Sequence, residues 1–253
     1  MRLRLIRHAT LLVEYGGQTL LVNPMLDDPG APPPIQNSPN PRNNPLVPLP
    51  FPTHQVGTGV DALLVTHTHS DPWDANASLV LNKQLPLLCQ PDDESKFRAQ
   101  GFTDLRPVLD ETRIHDVRVN RTGCQHGKGE IGKRMAPASG FVLRTRGEPT
   151  VYVAGDTIWC HEVRDTLSRY EPAVIVVNTG SAQFLEGDPI TMTADDVIHT
   201  CQAAPRAQVV AVHMEAINHC LLTRAGLAFE LDAARVIDQV SIPNDEEWVE
   251  VGV

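Results

Sequence analysis

Thr66-His67-Thr68-His69-Ser70-Asp71-Pro72-Trp73-Asp74 follows directly on an apolar run over residues 60–65. Such a run reads as a buried strand, so three ligand-type side chains leave one strand end together. Two imidazoles and a carboxylate at alternate positions can converge on one metal ion where the backbone is extended. Imidazole nitrogen and carboxylate oxygen suit zinc, and also manganese or iron. A lone strand histidine is commonly surface or core. Two of them with an aspartate, all just behind an apolar strand, point to a metal centre.

The same arrangement recurs along the chain. An alternating segment over 113–121, read as one strand, runs into Thr122-Gly123-Cys124-Gln125-His126. A strand over 150–154 opens into Gly155-Asp156-Thr157, and one over 207–212 delivers His213-Met214-Glu215-Ala216-Ile217-Asn218-His219. His67, His69, Asp71, His126, Asp156 and His213 therefore come from four separate strand ends. If those strands lie in two sheets of one sandwich, the ends share an edge and their loops line one cleft, where function concentrates.

The remaining elements follow from periodicity. Residues 3–23 read as a β meander turning at Gly16-Gly17. His8, between two of its strands, reads as a hydrogen-bonded core histidine rather than an outer partner of a site. Prolines crowd residues 24–58 and exclude helix or central strand there. A loop of that length predicts a wall of the substrate pocket. Helices are predicted over 75–84 (capped by Asp74), 92–100, 161–170, 194–203 and 223–234. Strands are predicted over 86–89, 140–145, 173–178 and 247–251. Both halves run from meander to alternating strand and helix, without an obvious repeat.

Composition narrows the partners. A net charge of -10 over 253 residues, with pI near 5.4, speaks against a nucleic-acid or anionic-membrane surface. No apolar run approaches the roughly 20 residues of a membrane span, and the charged start does not read as a signal peptide. Five scattered cysteines without a CxxC pair read as reduced thiols of a cytoplasmic protein. Cys124 and Cys220 lie near the candidate ligands but read as core. His54, His115, His161 and His199 have no ligand set around them. The expected partner is a small-molecule substrate, with a homo-oligomer left open.

His67-Thr68-His69-Ser70-Asp71 resembles the His-x-His-x-Asp-His signature of the metallo-β-lactamase superfamily, and the later His126, Asp156 and His213 keep its order. The likeness covers nearly the whole chain. It implies an α/β (α+β) fold, a four-layer αββα sandwich, as a single domain over 1–253. It also implies a first metal on His67, His69 and His126, a bridging Asp156, and a second metal on Asp71 and His213. One or two divalent ions are expected, zinc first and manganese second. Their bound water, its pKa lowered from about 16 towards 7, would hydrolyse the substrate. Asp71 would orient that hydroxide, and His219 would contact substrate or protonate the leaving group.

Pro72 departs from the signature where its last histidine belongs. The second position is thus expected to be the weaker, with Asp74, Glu215 or His219 as candidate substitutes. Asn23, before Pro24, stands where many relatives have aspartate. Gly155-Asp156-Thr157-Ile158-Trp159, residues 178–184, Pro189-Ile190-Thr191-Met192-Thr193 and residues 213–219 resemble the branch related to ascorbate-6-phosphate lactonase. That branch implies hydrolysis of a small ester, lactone or phosphoester. The rival readings are a superfamily nuclease and a non-catalytic metal- or ligand-binding protein.

Overall fold

The computed structural model describes residues 1–251, and two mixed seven-stranded sheets form its centre. The first contains β1 (Arg2–Arg7), β2 (Thr10–Tyr15), β3 (Gln18–Val22), β4 (Ala62–Val65), β5 (Leu87–Cys89), β6 (Leu105–Pro107) and the distant β14 (Trp248–Glu250), ordered β14-β1-β2-β3-β4-β5-β6. The second contains β7 (Glu111–Ile114), β8 (Val117–Thr122), β9 (Gly140–Arg144), β10 (Val151–Val153), β11 (Val174–Asn178), β12 (Gln208–Val212) and β13 (Val240–Ser241), consecutive in space. Each sheet begins as an antiparallel meander and continues as parallel strands.

The apolar runs explain the layering. In β11, Val174 and Val176 join the core between the sheets, while Ile175 and Val177 join the cluster under α5 (His161–Tyr170), α6 (Ala194–Ala203) and α7 (Arg224–Ala233). In β4, Ala62 and Leu64 face the other sheet, and Leu63 and Val65 face α1 (Thr53–Val56), α2 (Ala75–Val80) and α3 (Glu94–Ala99). A strand buried on both faces cannot alternate with polar residues. The result is the expected αββα sandwich.

Tyr15 ties the sheets together from β2. Its buried hydroxyl donates to Pro149 O (2.9 Å) and accepts from Thr145 N–H (3.1 Å), across the interface. Tyr15→Phe is expected to cost about 1–2 kcal/mol, because Thr145 N–H loses its acceptor at a part-buried position. Urea unfolding would show this as a lower midpoint at unchanged slope; an unmoved midpoint would deny the tie.

Several expectations need correction. The segment over 113–121 is two strands, β7 and β8, hinged at His115, whose φ is 47°. The turn is only His115-Asp116, a single break in the alternation on either side of it, and periodicity reads the segment as one strand across that break. The proline-rich loop does contain a helix, the single turn α1, begun after Pro52 where a missing N–H costs nothing. The helix expected over 75–84 stops at Val80, while Asp74 caps it as anticipated, accepting from Ala77 N–H (2.8 Å). Helix α4 (Gly129–Met135) was not anticipated: it buries no side chain, so it carries no apolar stripe to read.

Candidate metal centre

The ends of β4, β8, β10 and β12 come to one edge of the sandwich, and six candidate side chains meet there. His67 Nε2 stands 3.5 Å from Asp156 Oδ2, and His126 Nε2 stands 3.6 Å from the same oxygen. His213 Nε2 is 3.5 Å from Asp156 Oδ1 and 3.3 Å from Asp71 Oδ2. Two atoms bound to a tetrahedral ion at about 2.0–2.2 Å stand roughly 3.3–3.6 Å apart. The donor spacing is thus that of a coordination shell. His69 joins His67 and His126 in a second grouping of ligand atoms, and its ring lies 4.5 Å from that of His67.

Unpartnered atoms supply the test of fit. Buried side-chain nitrogen and oxygen nearly always find hydrogen-bond partners. Here His67 Nε2, His69 Nδ1, His213 Nε2 and Asp156 Oδ2 have none. They face one another, and His67, Asp156 and His213 are each about 1% exposed. Cations held among these groupings would satisfy them.

The outer contacts prepare the rings. His126 Nδ1–H donates to Ile190 O (2.7 Å), which leaves Nε2 bare toward the centre. Thr66 Oγ1 gives its hydrogen to Asn23 Oδ1 (3.1 Å) and so can accept from His67 Nδ1 (3.1 Å), baring His67 Nε2. Asn23 Oδ1 also accepts Thr66 N–H (2.9 Å), so its carbonyl, not a charge, serves that relay. His213 Nδ1 faces Cys220 Sγ at 3.6 Å. Such outer partners set the tautomer and orientation of metal-binding histidines. Asn178 Nδ2 donates to Asp156 Oδ1 (2.5 Å).

Backbone conformation matters at two glycines. Gly155 has φ 69°, and a Cβ there would lie 2.7 Å from Ser139 O. At Gly180, a Cβ would lie 2.4 Å from His213 O and 2.7 Å from Cys220 Sγ. Only glycine lets these loops close around Asp156 and His213. His213 itself has φ 72°, a sparsely populated state held by the surrounding structure.

Charge is arranged for ligation. Burial holds His67 down to about 3, so the ring is neutral at physiological pH. Burial also lowers His126. For Asp71 and Asp156, burial favours the acid form, but the imidazoles around them outweigh it and hold both below the usual carboxylate range. Burial opposes a charge on His213 as well; Asp156 and Cys220 overcome it and raise that pKa. A metal ion would displace this proton.

The chain is not extended after His69: Trp73 N–H bonds back to His69 O (3.1 Å), and in this turn Asp71 faces His213 while also grouping with His67 and Asp156. Trp73 belongs to the core, against Phe97 and Phe102. Asp74 is engaged in capping α2 and in accepting Asp27 N–H, and Glu215 pairs with Arg224 at 2.6 Å, so neither is free to replace the missing histidine. His219 is 4% exposed with an unpartnered Nδ1, beside Phe184. His8 is not a hydrogen-bonded core histidine. Neither ring nitrogen has a partner, and Nε2 lies 3.6 Å from Asp71 Oδ2. Residues 24–58 pack over the loop after β12 through Met25, Ile35 and Val47 on Ala216 and Ile217. Asn44 and Asn218 exchange hydrogen bonds beneath them.

Two facing mixed sheets, with histidines and aspartates gathered at one edge, define a metal-dependent hydrolase of the metallo-β-lactamase kind. The beta-lactamase superfamily domain matches residues 18–214. The UPF0173 protein YddR of Bacillus subtilis is 33% identical over 253 residues, covering 98% of both chains. Among solved structures, the isothiocyanate hydrolase from Delia radicum gut bacteria superposes with a TM-score of 0.94 at 36% identity, covering 99% of each chain. A possible metal-dependent hydrolase from Veillonella parvula does so at 0.96 and 30%, with the same coverage. The chain belongs to the UPF0173 metal-dependent hydrolase family of this superfamily.

Proposed function

We propose that this hydrolase acts on small uncharged electrophiles, isothiocyanates foremost, at a centre held by His67, His69, His126, Asp156, Asp71 and His213. The observation that carries the centre is the set of buried donor atoms without partners at coordination spacing. A divalent ion bound there supplies an acidified water and a Lewis acid. Asp71 faces that position and orients the attacking oxygen. His219, buried with an unpartnered Nδ1, is the group proposed to hand a proton to the departing atom.

Two observations favour the substrate class. No lysine or arginine among the described residues hydrogen-bonds or ion-pairs with these side chains, which suits a neutral substrate better than a phosphoester or RNA. The relative that resembles this chain at 36% identity over 99% of its length is an isothiocyanate hydrolase. Water adds across the central carbon, the C–N bond breaks, and R–N=C=S with one H2O leaves as R–NH2 and O=C=S. A cavity of about 500 Å³ whose lining includes Asn37, Ile131, Arg134, Phe184, Leu185 and Glu186 would take the R group, with Asn37 as the proline-rich loop's share of the wall. A larger cavity of about 770 Å³ lies near Ala173 and Ala207, before β11 and β12, at the opposite end of those strands from the centre.

Lactones and carboxylic esters share the neutral character and form the second arm of the test. Zinc- or manganese-loaded protein is expected to release amine from benzyl isothiocyanate faster than it opens a lactone or cleaves aryl esters, with aryl phosphate slowest. Lactone turnover without isothiocyanate turnover would return the assignment to the lactonase branch.

A further inference from the structure

Pro72 leaves the second metal position short of an imidazole, and of the three candidate substitutes Asp74 and Glu215 are occupied elsewhere, while His219 forms no ligand-capable grouping with these donors. Asp74 caps a helix and Glu215 holds Arg224. One wholly buried imidazole remains without any use: His8, at 0% exposure, with both nitrogens unpartnered.

We propose that His8 is a ligand of the second metal position, supplying the imidazole that Pro72 cannot. The inference rests on the metal-centre reading and adds a residue to it. Three observations carry it. His8 Nε2 and His213 Nε2 face the same atom, Asp71 Oδ2, at 3.6 and 3.3 Å. Those separations fall within the roughly 3.3–3.6 Å edges of a tetrahedral shell. His8 also forms a ligand-capable grouping with His213 and Cys220, so the second position is approached from a strand turn that the sequence signature does not include.

Its backbone is built for this placement. His8 sits in the turn between β1 and β2 with φ 61°, a conformation uncommon for a residue other than glycine. Its carbonyl accepts His213 N–H (2.8 Å), so one hydrogen bond sets the spacing between the two histidines. Their rings lean together with centroids 3.7 Å apart, against 5.4 and 5.3 Å from His126 to His67 and His69. Shared coordination therefore requires the His8–His213 pair to open, which makes the ring of His8 a direct reporter.

The test uses the full chain loaded with NMR-active cadmium and labelled at its histidine ring nitrogens. Spin coupling between the second cadmium and a His8 ring nitrogen is the expected result. Couplings confined to His67, His69, His126 and His213 would overturn the proposal. In parallel, chelator competition on His8→Gln should weaken the second ion by about a hundredfold or more, because even outer partners of ligands are worth about ten- to a hundredfold. The first ion should bind as before, and an unchanged second affinity would count against His8. Should that variant fail to fold, the coupling in the unaltered protein decides alone. Uptake of a single cadmium by the unaltered protein, with His8 uncoupled, overturns the proposal and leaves the centre standing. No uptake at all removes both.

Discussion

Asp156→Asn is expected to give a folded protein that holds far less metal and turns over substrate more slowly by a factor on the order of a thousand or more. The reason lies in what the carboxylate joins. Its Oδ2 faces His67 and His126, and its Oδ1 faces His213, so one side chain would serve both of the proposed metal positions. Asparagine keeps the shape, removes the charge, and turns an N–H toward imidazole nitrogens that need a cation. Circular dichroism should be unchanged, while elemental analysis and amine release both fall. Full metal content together with intact turnover would dismiss the assigned bridge.

Stripping metal should lower the melting temperature by about 8–16 °C. An ion present at a thousand times its dissociation constant stabilises the native state by about 4 kcal/mol. In a chain of this size each kcal/mol moves the midpoint by roughly 2–4 °C. The physical source is on view in the centre: Asp71 and Asp156 are buried carboxylates, at 6% and 1% exposure, beside imidazole nitrogens with no partners. Without a cation their mutual repulsion and lost hydration are offset only by the neighbouring imidazoles. Calorimetry before and after chelation, then after zinc is restored, measures the effect. A midpoint that ignores both steps would mean the cluster does not hold an ion in solution.

The strand ends were legible because buried parallel strands are short and apolar on both faces, so a histidine or aspartate just beyond one stands out. That is how His67, Asp156 and His213 could be found before any geometry. Helices α5 and α6 were legible to the residue, the second opened by a capping box at Thr193 and Asp196. The β7–β8 hairpin was not, although the alternation breaks there: His115 and Asp116 are two polar residues in succession between Ile114 and Val117, a break too short to stand out in a nine-residue segment. Nor was α4, whose exposed turns bury nothing.

The amino-acid order by itself determined which side chains have the chemistry to hold a cation and which strand carries each to its end. It also exposed the gap at Pro72. Only the tertiary structure decided which donor atoms face one another: in the turn closed by Trp73 N–H on His69 O, Asp71 meets His213 and His8 and groups with His67 and Asp156. It alone showed His8 facing Asp71. Periodicity is a property of adjacent residues, whereas the distance between a hairpin turn in one sheet and a strand end in the other depends on how the two sheets align across their core.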